Sequence, residues 1–425
     1  MNISYRYFFI TLFIISIFLF CGSAFSQTKY EITPGIYASE TYDDNINLVD
    51  TNETSDYITT VTPSIIVDIL SEKTSLDFTY APTFVWYAHE DQYNTTRHLA
   101  TLDFQQDVLQ HFRFDLNDSY LNSEDPIADV EDLSRVRTTR NKYWRNNFIT
   151  SFNYLFGPEN LLNVGYQNNY VQNNDPTLND STIQTPFLTF NYWFNVKNGL
   201  EFTYAYTKAD FSLEGAGVPQ DDFEGQVPGI RYIYRFSPHT SGFIGYTFTV
   251  RNFEGPTEDY RVNNFSLGFE HAFSQEVSLS LGGGYYMQNN ENSPNVDGYL
   301  YNASLVKNIE RGNFFIGGNG GWDEDFLQAN VRSFLKYYGA NGGFQYQLLS
   351  NLNSYANGSY RRERDQADQT REIWSANLGL GWSFLQWLTL SLDYVYADRN
   401  DENPSLSYKD NRVTLKLAAS KLYRY

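Results

Sequence analysis

The side chains of this chain that could carry chemistry are few and scattered. Catalysis by a nucleophile–base pair, or capture of a zinc ion, needs two or more such groups at a recognisable spacing. The five histidines are His89, His98, His111, His239 and His271. His89 falls in a polar connection, His98 near the end of a strand-like segment, His111 and His239 in short turns, and His271 near the end of an apolar face. None is framed by a nucleophile motif, and no pair has metal-ligand spacing. The single cysteine, Cys21, lies in the apolar N-terminal segment. The rest of the chain therefore offers no thiolate, disulfide or cysteine metal site. Gly282-Gly283-Gly284 and Gly317-Gly318 sit inside strand-like segments, where glycine marks a bend, and no phosphate-cradling loop precedes a helix. The reading is a protein with no catalytic residues, no cofactor and no metal centre. The acidic set Asp43, Asp44, Asp50, Glu53, Asp125, Asp129, Glu131 and Asp132 could take Ca²⁺ or bridge lipopolysaccharide through divalent ions. It lacks EF-hand spacing, and solvated loops are the expectation.

A second group of charged residues is set by strand parity. Asp68, Asp77, Asp107, Asp115, Glu201 and Asp393 fall between apolar positions towards one end of their segments. Arg145, Arg231, Arg251 and Arg361 do so towards the middle and the other end. In a barrel they line the lumen, acidic below and basic above. Rings of like charge in a pore select permeants by sign, whereas residues paired across neighbouring strands merely solvate the wall. Lumen-facing aromatics able to stack on sugars are few, since most rings have the opposite parity.

The elements that must position these groups follow from one pattern. Leu76, Phe78, Tyr80, Pro82, Phe84 and Trp86 alternate with mostly small or polar residues, so one face of a strand is apolar and the other is not. The pattern recurs about twenty times, in runs of about ten residues, the length a tilted strand needs to cross a bilayer. Short polar turns such as Ser71-Glu72-Lys73-Thr74 and Gly157-Pro158-Glu159-Asn160 alternate with longer connections at 43–56, 121–143, 172–182, 212–224, 288–297 and 397–410. The fold class is all-β, a transmembrane antiparallel up-and-down barrel of 18–20 strands with a continuous apolar exterior. The least regular segments are 32–42 and the glycine-rich 313–322. The connection 121–143 is the longest and the best candidate for an inward-folded constriction.

Composition agrees. Aromatics reach 18%, with 35 Tyr and 33 Phe, as interfacial girdles require. A formal charge of −20 argues against nucleic-acid binding, which needs a basic footprint. Residues 1–26 read as a signal peptide: Arg6, an apolar run from Phe8 to Phe20, then Ala24-Phe25-Ser26 before a cut at Gln27. Residues 27–425 form the barrel. The expected address is the outer membrane of a Gram-negative bacterium, with lipid and lipopolysaccharide as surroundings and the aromatic terminus Tyr425 as the signal read by the barrel-assembly machinery.

Two terminal motifs carry a family resemblance. Tyr42-Asp43-Asp44-Asn45-Ile46 is followed by Ser55-Asp56 and then by Thr62-Pro63-Ser64-Ile65, and the chain closes with Asp410-Asn411-Arg412-Val413-Thr414-Leu415. This resembles the beta-barrel porin 2 family, with Tyr42, Asp44, Asn45 and Ile46 as the matching residues. The resemblance implies an outer-membrane barrel associated with exopolysaccharide gene clusters, including those of PEP-CTERM sorting systems. It thereby implies polysaccharide passage, with periplasmic export proteins as partners. General diffusion of small solutes, or a structural barrel with acidic surface loops, are the alternatives.

Overall fold

Alternating segments become strands because each then buries its polar face inside a closed wall and presents its apolar face to lipid. This is what a computed structural model shows for residues 28–126, 140–176, 178–212, 221–255, 257–324, 334–365 and 368–425. The signal-peptide reading for residues 1–26 lies outside the described residues. Ten strands run outward: β1 (Lys29–Asp43), β3 (Thr74–Tyr87), β5 (Phe112–Ser123), β7 (Leu161–Asn173), β9 (Asn198–Ser212), β11 (Thr240–Phe253), β13 (Val277–Asn290), β15 (Gly312–Glu324), β17 (Leu352–Arg364) and β19 (Leu388–Asp401). Ten return: β2 (Asp56–Leu70), β4 (Thr95–Leu109), β6 (Tyr143–Leu155), β8 (Asp180–Trp193), β10 (Phe223–Ser237), β12 (Tyr260–Ala272), β14 (Val296–Ile309), β16 (Phe334–Leu349), β18 (Thr370–Leu385) and β20 (Tyr408–Ser420).

Each strand pairs antiparallel with its sequence neighbours, and β1 pairs with β20 to close the ring. The barrel therefore has twenty strands. Spaced ~4.8 Å apart and tilted ~40°, they close to a ring about 40 Å across. A two-residue strand, β21 (Tyr423–Arg424), carries the β20 register onward: Gly35 faces Ser420, and Glu31 faces Arg424. The start of β1 and the C-terminal residue then meet, with the Tyr30 amide donating to the Tyr425 carbonyl at 3.2 Å and the reverse bond at 2.9 Å.

Both irregular segments are full strands, β1 and β15. The outer connections are shorter than their polarity implies. The connection expected at 288–297 spans 291–295, and that at 397–410 spans 402–407. Gln288 and Arg399 turn into the lumen there, so their polarity does not end the ladder.

The exterior carries the apolar parity throughout, with Ile36, Phe152, Ile244, Leu267, Ile316 and Trp382 all exposed. A periplasmic aromatic girdle is built from touching rings: Phe112 on Tyr154 at 4.5 Å, Tyr154 on Phe156 at 5.9 Å, and Phe156 on Phe190 at 5.7 Å. One expectation fails. The exterior is not continuously apolar, because Asp118, Asn146, Asn168 and Gln184 carry exterior parity on β5–β8. Most of the fully buried side chains lie inside the outer mouth of the lumen, where connections fold back against the inner wall.

Candidate functional site

The first connection, residues 44–55, bends into the barrel. Asn45 is the knot. Its side-chain amide donates to the Val49 and Lys409 carbonyls, both at 2.7 Å, and its side-chain oxygen accepts from the Val49 amide at 3.2 Å. Only a residue with two donors and an acceptor on one short arm fills this role. Leu48 and Asn52 adopt left-handed backbone (φ 50° and 58°), which turns the loop back on itself. Ile46, wholly buried, then packs against Ile58, Val85 and Tyr87 of β2 and β3. Leu48 packs against Ile373, Ala397 and Tyr408 of β18, β19 and β20. The loop thus crosses the closing seam on the inside, with one apolar anchor on each side.

Charged groups fasten it. Asp44 accepts from the backbone and side-chain amides of Asn411, both at 2.7 Å. Arg412 meets Asp410 at 2.7 Å, Asp43 at 3.2 Å and Asp125 at 3.5 Å. Arg140 reaches in from the third outer connection, bonding the Ile46 carbonyl, the Tyr87 hydroxyl at 2.9 Å, and Asp43 at 3.7 Å. Arg97 bridges Glu124 at 2.6 Å and Asp125 at 3.3 Å. Asp43 is buried, not a solvated loop residue as expected, and Asp410 beside it is buried too. The carboxylates of Asp43, Asp44 and Asp410 converge enough to hold a cation, but Arg412 already lies on two of them. Asp129, Glu131, Asp132 and most of the connection 121–143 lie outside the described residues. Its described ends, at Glu124, Asp125 and Arg140, do turn inward.

A second inward element is the outer end of the β15–β16 hairpin. β14 pairs with β15 only as far as Tyr301 opposite Gly320, whereas β15 and β16 stay paired up to Glu324 opposite Phe334. The hairpin therefore leaves the wall at Gly320-Gly321. A Cβ at Gly320 would sit 2.4 Å from the Tyr301 ring, and one at Gly321 2.7 Å from Leu300, so glycine lets the hairpin depart without moving either side chain. Trp322 and Phe334 have exterior parity yet touch the inner wall. Trp322 donates to Asn264 at 2.9 Å, and Phe334 packs on Tyr260 and Tyr286 at 6.3 and 5.7 Å. An inner chain of rings continues along the wall through Phe253, Phe223 and Phe211.

All ten charged residues chosen by parity lie on the inner wall, in several different settings. Arg251 holds Glu324 at 2.9 Å, and Arg361 holds Asp323 at 2.9 Å and Glu363 at 2.6 Å. These two arginines are therefore anchors of the inward hairpin, not free members of a basic ring. Arg231 lies 3.4 Å from Glu201 and over the Phe243 ring. Asp107 pairs with Arg113 at 2.9 Å, Asp115 accepts from Asn153 at 2.5 Å, and Asp393 accepts from the Tyr355 hydroxyl at 2.7 Å. Arg145 stands exposed on the lumen side of β6. Asp68 and Asp77 are direct register partners, and Asp77 in turn faces Asp103, which sequence parity had not singled out. No basic side chain forms an ion pair with these three among the described residues. The three carboxylates follow one another across β2, β3 and β4 at the spacing of paired strands, a lower-lumen row of negative charge that ends at Asn117 on β5.

The histidines stay apart. His89 bonds the buried Asp56 at 2.9 Å, His98 bonds Tyr80 on the exterior at 3.0 Å, and His271 bonds Thr240 at 2.9 Å. His111 and His239 occupy turns. Outside the strands, two glutamates are tuned by neighbours. Arg235, bonded at 2.6 Å, holds the Glu159 carboxyl below its ordinary value. At Glu258 burial pushes upward, but the Ser293 hydroxyl and the Asn292 and Ser293 amides outweigh it and the group titrates lower than usual.

Sequence reasoning missed the inner aromatic chain, the anchors Glu324 and Asp323, and the latch role of Asn45. A Gly-Gly pair directly before Trp322 was the one local signal that a strand leaves its neighbour.

No protein-family model and no curated protein sequence matches the chain. Among solved structures, the siderophore receptor PirA from Pseudomonas aeruginosa is similar over 91% of this chain and 80% of its own, at 10% identity and a TM-score of 0.51. Looser likenesses are OccAB4 from Acinetobacter baumannii (12% identity, 94% of this chain and 99% of that one, TM-score 0.41) and OpdK from Pseudomonas aeruginosa, solved with vanillate (10%, 93% and 99%, 0.40). At these identities the likeness is one of fold: that of an outer-membrane β-barrel.

Proposed function

We propose that the chain is an outer-membrane diffusion channel for small solutes, with a lower lumen that favours cations. The observation that carries this reading is the pair of elements folded into the outer mouth, the 44–55 loop and the β15–β16 hairpin. A ring about 40 Å across would admit a polymer if empty. Here the mouth is narrowed by segments seated on buried apolar and ionic contacts, which a polymer would have to displace and a small solute would not. The polysaccharide passage implied by the family resemblance is therefore the second reading. The carboxylate row of Asp68, Asp77 and Asp103 supports the charge preference, since like charges on a pore wall select by sign.

The test is liposome swelling with neutral sugars of increasing size, run beside planar-bilayer conductance. The channel reading expects swelling with mono- and disaccharides that falls away for longer oligomers, and a potassium preference in reversal potential. Uptake that does not fall with oligomer length would overturn it in favour of polymer passage, and absence of both swelling and conductance would favour a structural barrel.

A further inference from the structure

The outer wall of β5–β8 is not built for lipid. Phe112 on β5 and Tyr154 on β6 stack in the periplasmic girdle, and Leu162 on β7 is the register partner of Tyr154. Asp118 stands six positions above Phe112 (112 to 118), and Asn168 six above Leu162 (162 to 168), both on the exterior parity. Six strand residues at ~3.4 Å, tilted ~40°, rise about 15 Å, within an apolar band about 25 Å tall. These groups therefore lie at hydrocarbon depth. Asp118 accepts from Asn146 at 2.6 Å, itself an exterior position. Asn168 and Gln184 are register partners on β7 and β8, and neither side chain bonds any described residue. In hydrocarbon an unsatisfied amide has no water to turn to, and polar groups on a lipid face are destabilising. On β11–β13, about a quarter-turn round the ring, the exterior carries Tyr246, Phe265, Leu267 and Leu281, and its amide Asn263 is satisfied by the Tyr246 hydroxyl at 2.7 Å.

We propose that the β5–β8 wall is a protein contact in the membrane and that its occupant is a second copy of this chain. Primary amides are self-complementary: each has donors and an acceptor, so an Asn168–Gln184 ladder can be satisfied by the same ladder of another copy. A symmetric contact of a patch with itself is the commonest form of homo-oligomer. Asp118, held by Asn146, is then buried at a protein seam with its charge already hydrogen-bonded. The girdle beneath it, Phe152, Tyr154 and Phe190, supplies apolar area on both sides.

The test uses the full-length chain in native outer membranes, with Cys21→Ser as a cysteine-free background. Asn168→Cys and Gln184→Cys are compared with Ile244→Cys and Leu281→Cys under a short bismaleimide. Covalent dimers of the chain are expected from the first two and not from the second two. Native mass of the detergent-extracted protein is read in parallel. The triple variant Asp118→Leu, Asn146→Leu, Asn168→Leu should remain a heat-modifiable barrel and shift to the monomer. Equal cross-linking on both walls, a wild-type monomer, or cross-linking of the first two positions only to a different protein would each overturn the proposal.

Discussion

Asp43, the last residue of β1, and Arg412, on β20, are register partners across the closing seam, and their side chains meet at 3.2 Å inside the wall. Because β1 is the first strand and β20 the last full one, this pair ties the first and last walls of the ring at the outer mouth. Arg412 also serves Asp410 and Asp125. Arg412→Ala would leave buried carboxylates with too little countercharge, a change that costs about 3–5 kcal/mol. The gel-shift temperature at which the folded barrel becomes the unfolded band should fall. Asp43→Leu combined with Arg412→Met should recover part of the loss, because an apolar pair replaces a buried ionic one.

The latch should be separable from the barrel. Asn45→Ala removes three hydrogen bonds at a buried site, a loss of about 1–3 kcal/mol for groups left unpaired. Ile46→Ala removes a wholly buried anchor at a cost of about 2–5 kcal/mol. Both act on the loop rather than on the ladder of twenty strands. The expected result is a barrel that still shows heat-modifiable mobility but conducts more, with larger current fluctuations. Conductance equal to wild type in both variants would place the loop outside the permeation path.

How far these features were legible follows from the range of the signal that encodes them. Alternation is local, so Leu76 to Trp86 announce a strand with two faces without reference to the rest of the chain. Parity is equally local, and it is why Arg251 and Arg361 could be placed inside. Their partners were not legible. Asp323 shares the inner parity of Arg361 but lies two strands away, and Glu324, of exterior parity, reaches Arg251 only because β15 leaves β14 at Gly320-Gly321, a tertiary event that parity does not encode. The same event puts Trp322 and Phe334, whose register parity is that of the exterior, against Asn264 and Tyr260. The motif around Asn45 was visible as a string, and so was Asp410-Asn411-Arg412. Their meeting depends on ring closure, which brings sequence ends together, and no pattern within either string describes the other.

Glu258 gives a pH-dependent loop. Its carboxyl titrates below the ordinary glutamate value because Asn292 and Ser293 donate to the ionised form. A group depressed in the folded state contributes stability that is fully present above its unfolded value and is lost as pH falls through the folded one. Protection of the Asn292 and Ser293 amides from hydrogen exchange, corrected for intrinsic rate, should hold at pH 7 and decline below the usual glutamate range. Glu258→Gln should show the reduced protection already at pH 7. Protection unchanged by acid or by the substitution would remove the carboxylate from this role.

Charge reversal inside the lumen should have two different outcomes, because the charged residues do two different jobs. Asp68, Asp77 and Asp103 form a row without a basic partner among the described residues. Replacing all three with Asn should shift the reversal potential towards zero in a potassium chloride gradient while leaving conductance near wild type. Arg251 is instead clamped to Glu324 at 2.9 Å beside the ring of Phe223. Arg251→Glu sets two carboxylates against each other beneath the inward hairpin, and like charges at a buried site cannot both stay ionised and close. The hairpin should lift from its seat on Tyr260 and Tyr286, so this variant should raise conductance and noise before it changes selectivity. Phe334→Ala tests the same seat without altering charge, since loss of a buried ring weakens the packing by about 3–5 kcal/mol. Agreement between Arg251→Glu and Phe334→Ala in conductance would assign Arg251 to the hairpin. A selectivity shift in Arg251→Glu alone, at wild-type conductance, would return it to the permeation path as a free charge.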